Sequence, residues 1–212
     1  MQAAIRSFSW ASAGGMDGLR PSHLKQLTGT FASDGAELLI GSLVSFVNLC
    51  FKGNIPEPIC PHFFGCKLLA FEKKDGGARP IAIGGTLRRL AAKVACRSVD
   101  PAGILSPVQV GVGVSGGAEA AIHAVRTYIN RMKPHEALVK LDFANAFNSI
   151  SRDAVLACVA KFAPSIYSFV KCAYNTISDL RFGMWTLSSA EGVQQGPLWT
   201  AIVLPGNQEL VT

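Results

Sequence analysis

The stretch LVKLDFANAFNSI, residues 138–150, decides the fold. Leu138, Val139 and Leu141 are apolar, and one charge, Lys140, interrupts them before Asp142. A short apolar run of this kind reads as a buried strand over residues 137–143. It delivers one acid at its end, and small and aromatic residues then lead into a helix. A carboxylate there is a hard oxygen donor suited to Mg²⁺. An acid closing a strand also serves as a turn residue or helix cap, so the local chemistry leaves both roles open.

Upstream, CKLLAFEKK at residues 66–74 reads as a strand. Asp75, Gly76 and Gly77 form a turn, and residues 79–83 return as a second strand, making a hairpin. A short helix capped by Asp17 or Ser22 is expected to run through Leu27, with Pro21 suiting its first turn, and another is expected at 36–51, entered from Ser33 or Asp34 and stopped by Gly53. Ala36, Leu39, Ile40, Leu43, Val47 and Cys50 share one face of the second helix, which is amphipathic and too short for a comfortable membrane span. Thr86 caps a helix through Ser98, with Leu87, Leu90, Ala91 and Val94 facing inward. Arg89, Lys93 and Arg97 recur four apart on its other side. Residues 116–132 form another amphipathic helix, with Ala118, Ala121, Ile122, Val125, Ile129 and Met132 as its stripe. Helices follow at 152–162 and 165–174, and residues 180–191 suggest a short hairpin. The elements are mixed and do not strictly alternate, which predicts an α+β fold.

Hydrophobic residues make up 49% of the 212 and charged residues 16%, so a core forms and disorder is excluded. The net charge of +6 suits a nucleic-acid or nucleotide partner. The six cysteines contain no CxxC, and Cys60, His62 and Cys66 fit no usual zinc spacing. They read as free thiols of a reducing, intracellular compartment, with nucleus and cytoplasm unresolved. The first residues, MQAAIRSFSW, lack the apolar centre of a signal peptide. No membrane or protein partner is expected.

Taken in order, five segments resemble the reverse transcriptase (RNA-directed DNA polymerase) domain, especially that of non-LTR retrotransposons. They are DGLRPSHLK at 17–25, the hairpin and helix at 63–93, QVGVGVSGGAEAAIHAVR at 109–126, LVKLDFANAFNSI, and EGVQQG at 191–196. The resemblance spans roughly residues 13–198. It implies a right-hand polymerase, with fingers and fingers–palm elements over about 13–135, a partial palm over about 136–198, and a divergent tail at 199–212. The palm would be an antiparallel sheet with packed helices. Asp142 would bind the catalytic metals, helped by the main chain of Phe143. Phe147 would be the steric gate that favours deoxynucleotides. Lys73 or Lys74, with Arg79, would contact the triphosphate from a mobile hairpin. Gln195 and Gly196 would lie against the nucleotide and the template base, and Arg89, Lys93 and Arg97 would track the template backbone. The implied cofactor is Mg²⁺. The implied partners are an RNA or DNA template with primer, and dNTP.

The chain departs from that pattern in two places. Gly196 is followed directly by Pro197 and Leu198, without the acid usual in these relatives, and Pro205 and Gly206 break the helix expected next. The second carboxylates, an Ala-Asp-Asp turn, are not found, because no aspartate follows Asp179. Two-metal transfer needs carboxylates from two strands. The expectation is therefore a truncated fragment without polymerase activity of its own. A non-catalytic nucleic-acid-binding remnant is the alternative. A rival of another class is a dinucleotide-binding βαβ unit using GVGVSG at 111–116, with Asp142 on the ribose. It explains one segment where the polymerase resemblance explains five.

Overall fold

The computed structural model describes residues 1–29, 34–72, 74, 76–100, 103–104, 109–111, 113–142 and 145–194. Lys73, Phe143, Gln195, Gly196 and the tail at 199–212 lie outside the described residues.

The hairpin at 66–84 forms as its sequence predicts. Strand β1 is Cys66–Glu72 and β2 is Ala78–Gly84, paired antiparallel from Cys66 opposite Gly84 to Glu72 opposite Ala78. A second hairpin joins β3, Ser178–Phe182, to β4, Trp185–Ser189. Its turn is Gly183 and Met184, inside the stretch that the sequence suggests as a short hairpin. Gly183 takes φ 58°, the left-handed conformation that a two-residue hairpin loop demands and glycine adopts without a Cβ penalty.

The two hairpins join through β1 and β3, which run parallel with Cys66 opposite Leu180. The sheet order is β2–β1–β3–β4. The sheet is therefore mixed, which corrects the wholly antiparallel expectation, while the α+β class stands. It also unites strands from both sides of the expected fingers–palm boundary at 135/136.

A second correction concerns the residues that open the sequence argument. Residues 137–142 form no strand, and Leu138, Val139 and Leu141 are exposed. A strand needs a ladder partner and, for an apolar run, a covering layer. Neither is present among the described residues, so β propensity alone does not hold this stretch extended in a sheet.

The helices are α1 (Gln2–Arg6), α2 (Pro21–Leu27), α3 (Asp34–Phe51), α4 (Cys60–Phe63), α5 (Thr86–Arg97), α6 (Gly117–Arg131), α7 (Ala146–Ser149), α8 (Arg152–Phe162) and α9 (Tyr167–Tyr174). Helix α3 buries Ala36, Leu43, Val47 and Cys50 from the face predicted for it. Gly53 ends it at φ 72°, its N–H bonded to the Cys50 carbonyl at 3.0 Å. Thr86 does not cap α5. Gly85 is the N-cap, and the Thr86 hydroxyl donates to the Leu19 carbonyl, tying α5 to the segment before α2.

The main core gathers Val47 and Cys50 of α3, Phe64, Ala91 and Ala95 of α5, Val155 and Val159 of α8, and Phe169 and Val170 of α9. A smaller core holds Ile5, Phe8, Leu24, Leu43 and Leu90. Helix α6 is helical as expected, yet its apolar stripe is uncovered: Ile122, Val125, Ile129 and Met132 are exposed. No described helix is long and apolar enough to cross a membrane.

Candidate functional site

Residues 145–149 fold onto the segment that precedes Gln195. Asn145 turns the chain at φ 53°, a left-handed conformation that asparagine tolerates better than most side chains, and starts the single turn of α7. Phe147 on that turn is half-buried against the main core. Its carbonyl accepts the N–H of Val193 at 2.7 Å. Gly192 makes this approach possible. It sits at φ 67°, and a Cβ there would stand 2.6 Å from the Phe147 oxygen and 2.5 Å from that of Asn148.

Arg152 fixes the same segment from the other side. Its guanidinium donates to the carbonyls of Gly192 at 3.0 Å, Thr176 at 3.2 Å and Glu191 at 3.4 Å, and to the Ser189 hydroxyl at 3.0 Å. It also lies 5.4 Å from the centre of the Tyr174 ring. Burial holds its pKa below the ordinary arginine value. One planar five-donor group thus gathers the end of β4, the bend and α9.

Gln194 then reaches the base of the first hairpin. Its amide donates to the Phe64 carbonyl at 3.2 Å, and Arg88 donates to the same oxygen at 2.9 Å. Arg88 is only 5% exposed, and its Nη1 also donates to the Cys66 sulfur at 3.1 Å. Burial pushes the Cys66 thiol up, and Arg88 pulls it down by a smaller amount. The sulfur is therefore a neutral thiol at neutral pH and does not balance the guanidinium. Among the described residues the one ion pair is His62 with Asp179, at 2.7 Å. Arg88 is a buried cation with hydrogen bonds and, among the described residues, no carboxylate partner.

Beside Arg88 opens a cavity of about 430 Å³, lined among others by Phe8, Ile83, Arg88, Arg89, Lys93 and Gln194. Arg89 donates to the Ala13 carbonyl at 2.6 Å, and its guanidinium lies 5.3 Å from the Phe8 ring centre. The Lys93 ammonium lies 4.7 Å from that centre. Lys25 donates to the Phe8 carbonyl, so three cations surround this one residue. Burial first, then the neighbouring Arg88, lowers the Arg89 pKa. Burial, then Arg97, Arg89 and Lys25, lowers that of Lys93, against a smaller raising pull from Cys96. No carboxylate lines the cavity among the described residues.

The other expected site residues stand apart. Lys74 is exposed in the turn between β1 and β2, and Arg79 is exposed on β2 opposite Phe71. Neither makes a hydrogen bond or ion pair to Asp142 or Phe147. Asp142 is exposed in irregular chain. No cluster of three or more His, Cys, Asp or Glu side chains able to hold a metal ion occurs among the described residues. The donor set around Asp142 among the described residues does not fit a two-metal centre. For the dinucleotide alternative, neither residues 109–111 nor 137–142 form the strands that flank such a motif.

Sequence reading passes over Arg88, Gln194, Phe8 and Arg152. A signal for Arg88 exists: it shares the i, i+3, i+7 arc with Ala91 and Ala95, both fully buried. Gln194 and Gln195 are adjacent amides that a sequence cannot rank, and Arg152 looks like any first-turn charge.

No protein-family model matches this chain, and no curated protein is similar to it at a significant level.

Proposed function

We propose that this chain is a fragment of a retrotransposon-type reverse transcriptase that binds a primer–template and, as these 212 residues alone, does not extend it. The observation that supports the reading is the Val193–Phe147 bond together with Gln194 on the Phe64 carbonyl. Three of the resembling segments, those at 63–93, 138–150 and 191–196, meet there although they are far apart in sequence. In the proposal the fingers hairpin carries Lys73 or Lys74 and Arg79 toward the triphosphate of a dNTP. Phe147 stands at the sugar, and Gln195 and Gly196 lie beyond Gln194 against the nucleotide and template base. Arg89, Lys93 and Arg97 face the template strand. Asp142 alone cannot hold two Mg²⁺ ions against their hydration and mutual repulsion.

Primer extension on an RNA template, with binding measured in parallel, tests this. The purified chain should bind primer–template duplex, leave the primer unextended, and bind as well after Asp142→Ala. Extension lost on Asp142→Ala would remove the inactivity. Saturable NAD binding lost on the same substitution would remove the family reading. A non-catalytic nucleic-acid binder is the second reading, favoured by the carboxylate-free cation cluster around Phe8.

A further inference from the structure

We infer that the cavity between the Phe8–Ala13 segment, the end of β2 and helix α5 is a binding site for one nucleoside phosphate unit, with the phosphate against Arg88, Arg89 and Lys93. The inference rests on the proposed function only for taking a nucleic-acid strand as the favoured source of that unit. The charge of the cavity stands independently of it.

Three observations converge. The first is an uncompensated charge. A buried cation ordinarily has an anionic partner, because removing it from water is costly unless an opposite charge or hydrogen bonds compensate. Arg88 has none among the described residues, and the neutral Cys66 thiol does not supply one. The second is the crowding of like charge. Arg89 and Lys93 each sit within the field of other cations, and Lys25 approaches from α2. Asp17, near the start of α5, accepts the Leu19 N–H on its Oδ1 and does not line the cavity. Such a cluster is destabilising when empty and is relieved by a bound anion. The third is shape. The cavity is about 430 Å³, within the usual size of small-molecule sites, and pairs its cations with the apolar surfaces of Ile83, Ala82 and Ala92. Inorganic phosphate would neutralise the cations and leave the apolar wall unused. A nucleoside phosphate uses both, and Gln194 lines the cavity as a further polar side chain.

Lys93 provides the test, because its side chain packs on Phe8 and makes no hydrogen bond that holds the fold. In the full chain, Lys93→Gln should reduce the slope of log K against log salt for a labelled single-stranded oligonucleotide by about 0.7, and so weaken binding about fivefold at 0.1 M salt. Lys171→Gln, an exposed charge on α9, should leave both unchanged. Equal slopes and affinities for a folded Lys93→Gln chain and the parent would overturn the site. If the variant fails to fold, acylation of lysines in the unaltered chain gives the answer. An oligonucleotide or AMP should slow the labelling of Lys93 and not of Lys171. Protection by the oligonucleotide alone identifies a strand, and protection by AMP identifies a free nucleotide. Protection by neither sinks the proposal. Protection of Lys93 without any preference for primer–template over unrelated duplex would sustain the cavity site while removing the polymerase reading.

Discussion

Arg88 and Gln194 donate to one oxygen, the carbonyl of Phe64. The amide is neutral, and the guanidinium is a buried cation with no carboxylate partner among the described residues. Their shared acceptor separates structural from ligand-binding roles. With Arg88→Met, Gln194 still satisfies the Phe64 carbonyl and an unpaired buried charge disappears. Stability to urea should change by less than about 1 kcal/mol, or rise, since apolar isosteres commonly replace buried charges without loss. Oligonucleotide binding should fall in the same variant. A loss of several kcal/mol would identify Arg88 as a purely structural anchor.

Gly192→Ala should be strongly destabilising. The new Cβ would sit under 3 Å from two carbonyl oxygens, at a φ that side chains avoid. The expected cost is about 2 kcal/mol or more, read as a lower urea midpoint with an unchanged denaturant slope.

Arg152→Lys should be nearly as damaging as Arg152→Ala. A lysine ammonium cannot span the four acceptors that the planar guanidinium reaches at once. Each variant should lose about 2–4 kcal/mol. Hydrogen exchange should show the loss first at the end of β4 and at residues 190–194.

The fold should weaken in alkali. Burial, with a smaller contribution from Cys172, pushes the Cys50 thiol up to about 11 from its ordinary value of 9.0. Between those values the unfolded chain has released the proton that the folded chain retains, so stability falls as pH rises through the window. The loss is at most about 3 kcal/mol. Cys60 and Cys66 are shifted in the same direction, each chiefly by burial. A urea series from pH 8 to 11 should show the decline, and Cys50→Ala should make it shallower after allowance for the lost packing.

The uncovered stripe of α6 and the exposed run at 138–141 should make the isolated chain self-associate and bind a hydrophobic dye. Ile122→Lys with Ile129→Lys should reduce both without lowering the melting temperature. A fall in melting temperature would mean that the stripe is packed in solution.

The parts of the fold legible in the sequence are those set by local chemistry. The glycine turn after β1 announced the first hairpin, and the spacing of Leu43, Val47 and Cys50 announced the buried face of α3. Residues 137–143 were misread because an apolar run reports only a tendency to be buried; whether a partner covers it is decided elsewhere in the chain. The parallel pairing of β1 with β3 has no local signature at all. Within the candidate site, Phe147 is singled out by the resemblance alone, and Arg89 by its four-residue spacing from Lys93 and Arg97. Arg88 and Gln194 matter because they converge on Phe64, and convergence is a property of the tertiary structure.

The parallel seam between Cys66 and Leu180 also governs the order of assembly. The first hairpin closes across a few residues, while its inner edge must wait for a strand that leaves the ribosome more than a hundred residues later. Loop closure over that distance is entropically slow and raises the contact order of the whole sheet. During that interval the edge of β1 stands open, so nascent chains face their greatest risk of mispairing before β3 emerges. A circular permutant that brings 178–189 next to β1 should refold faster than the parent without being more stable.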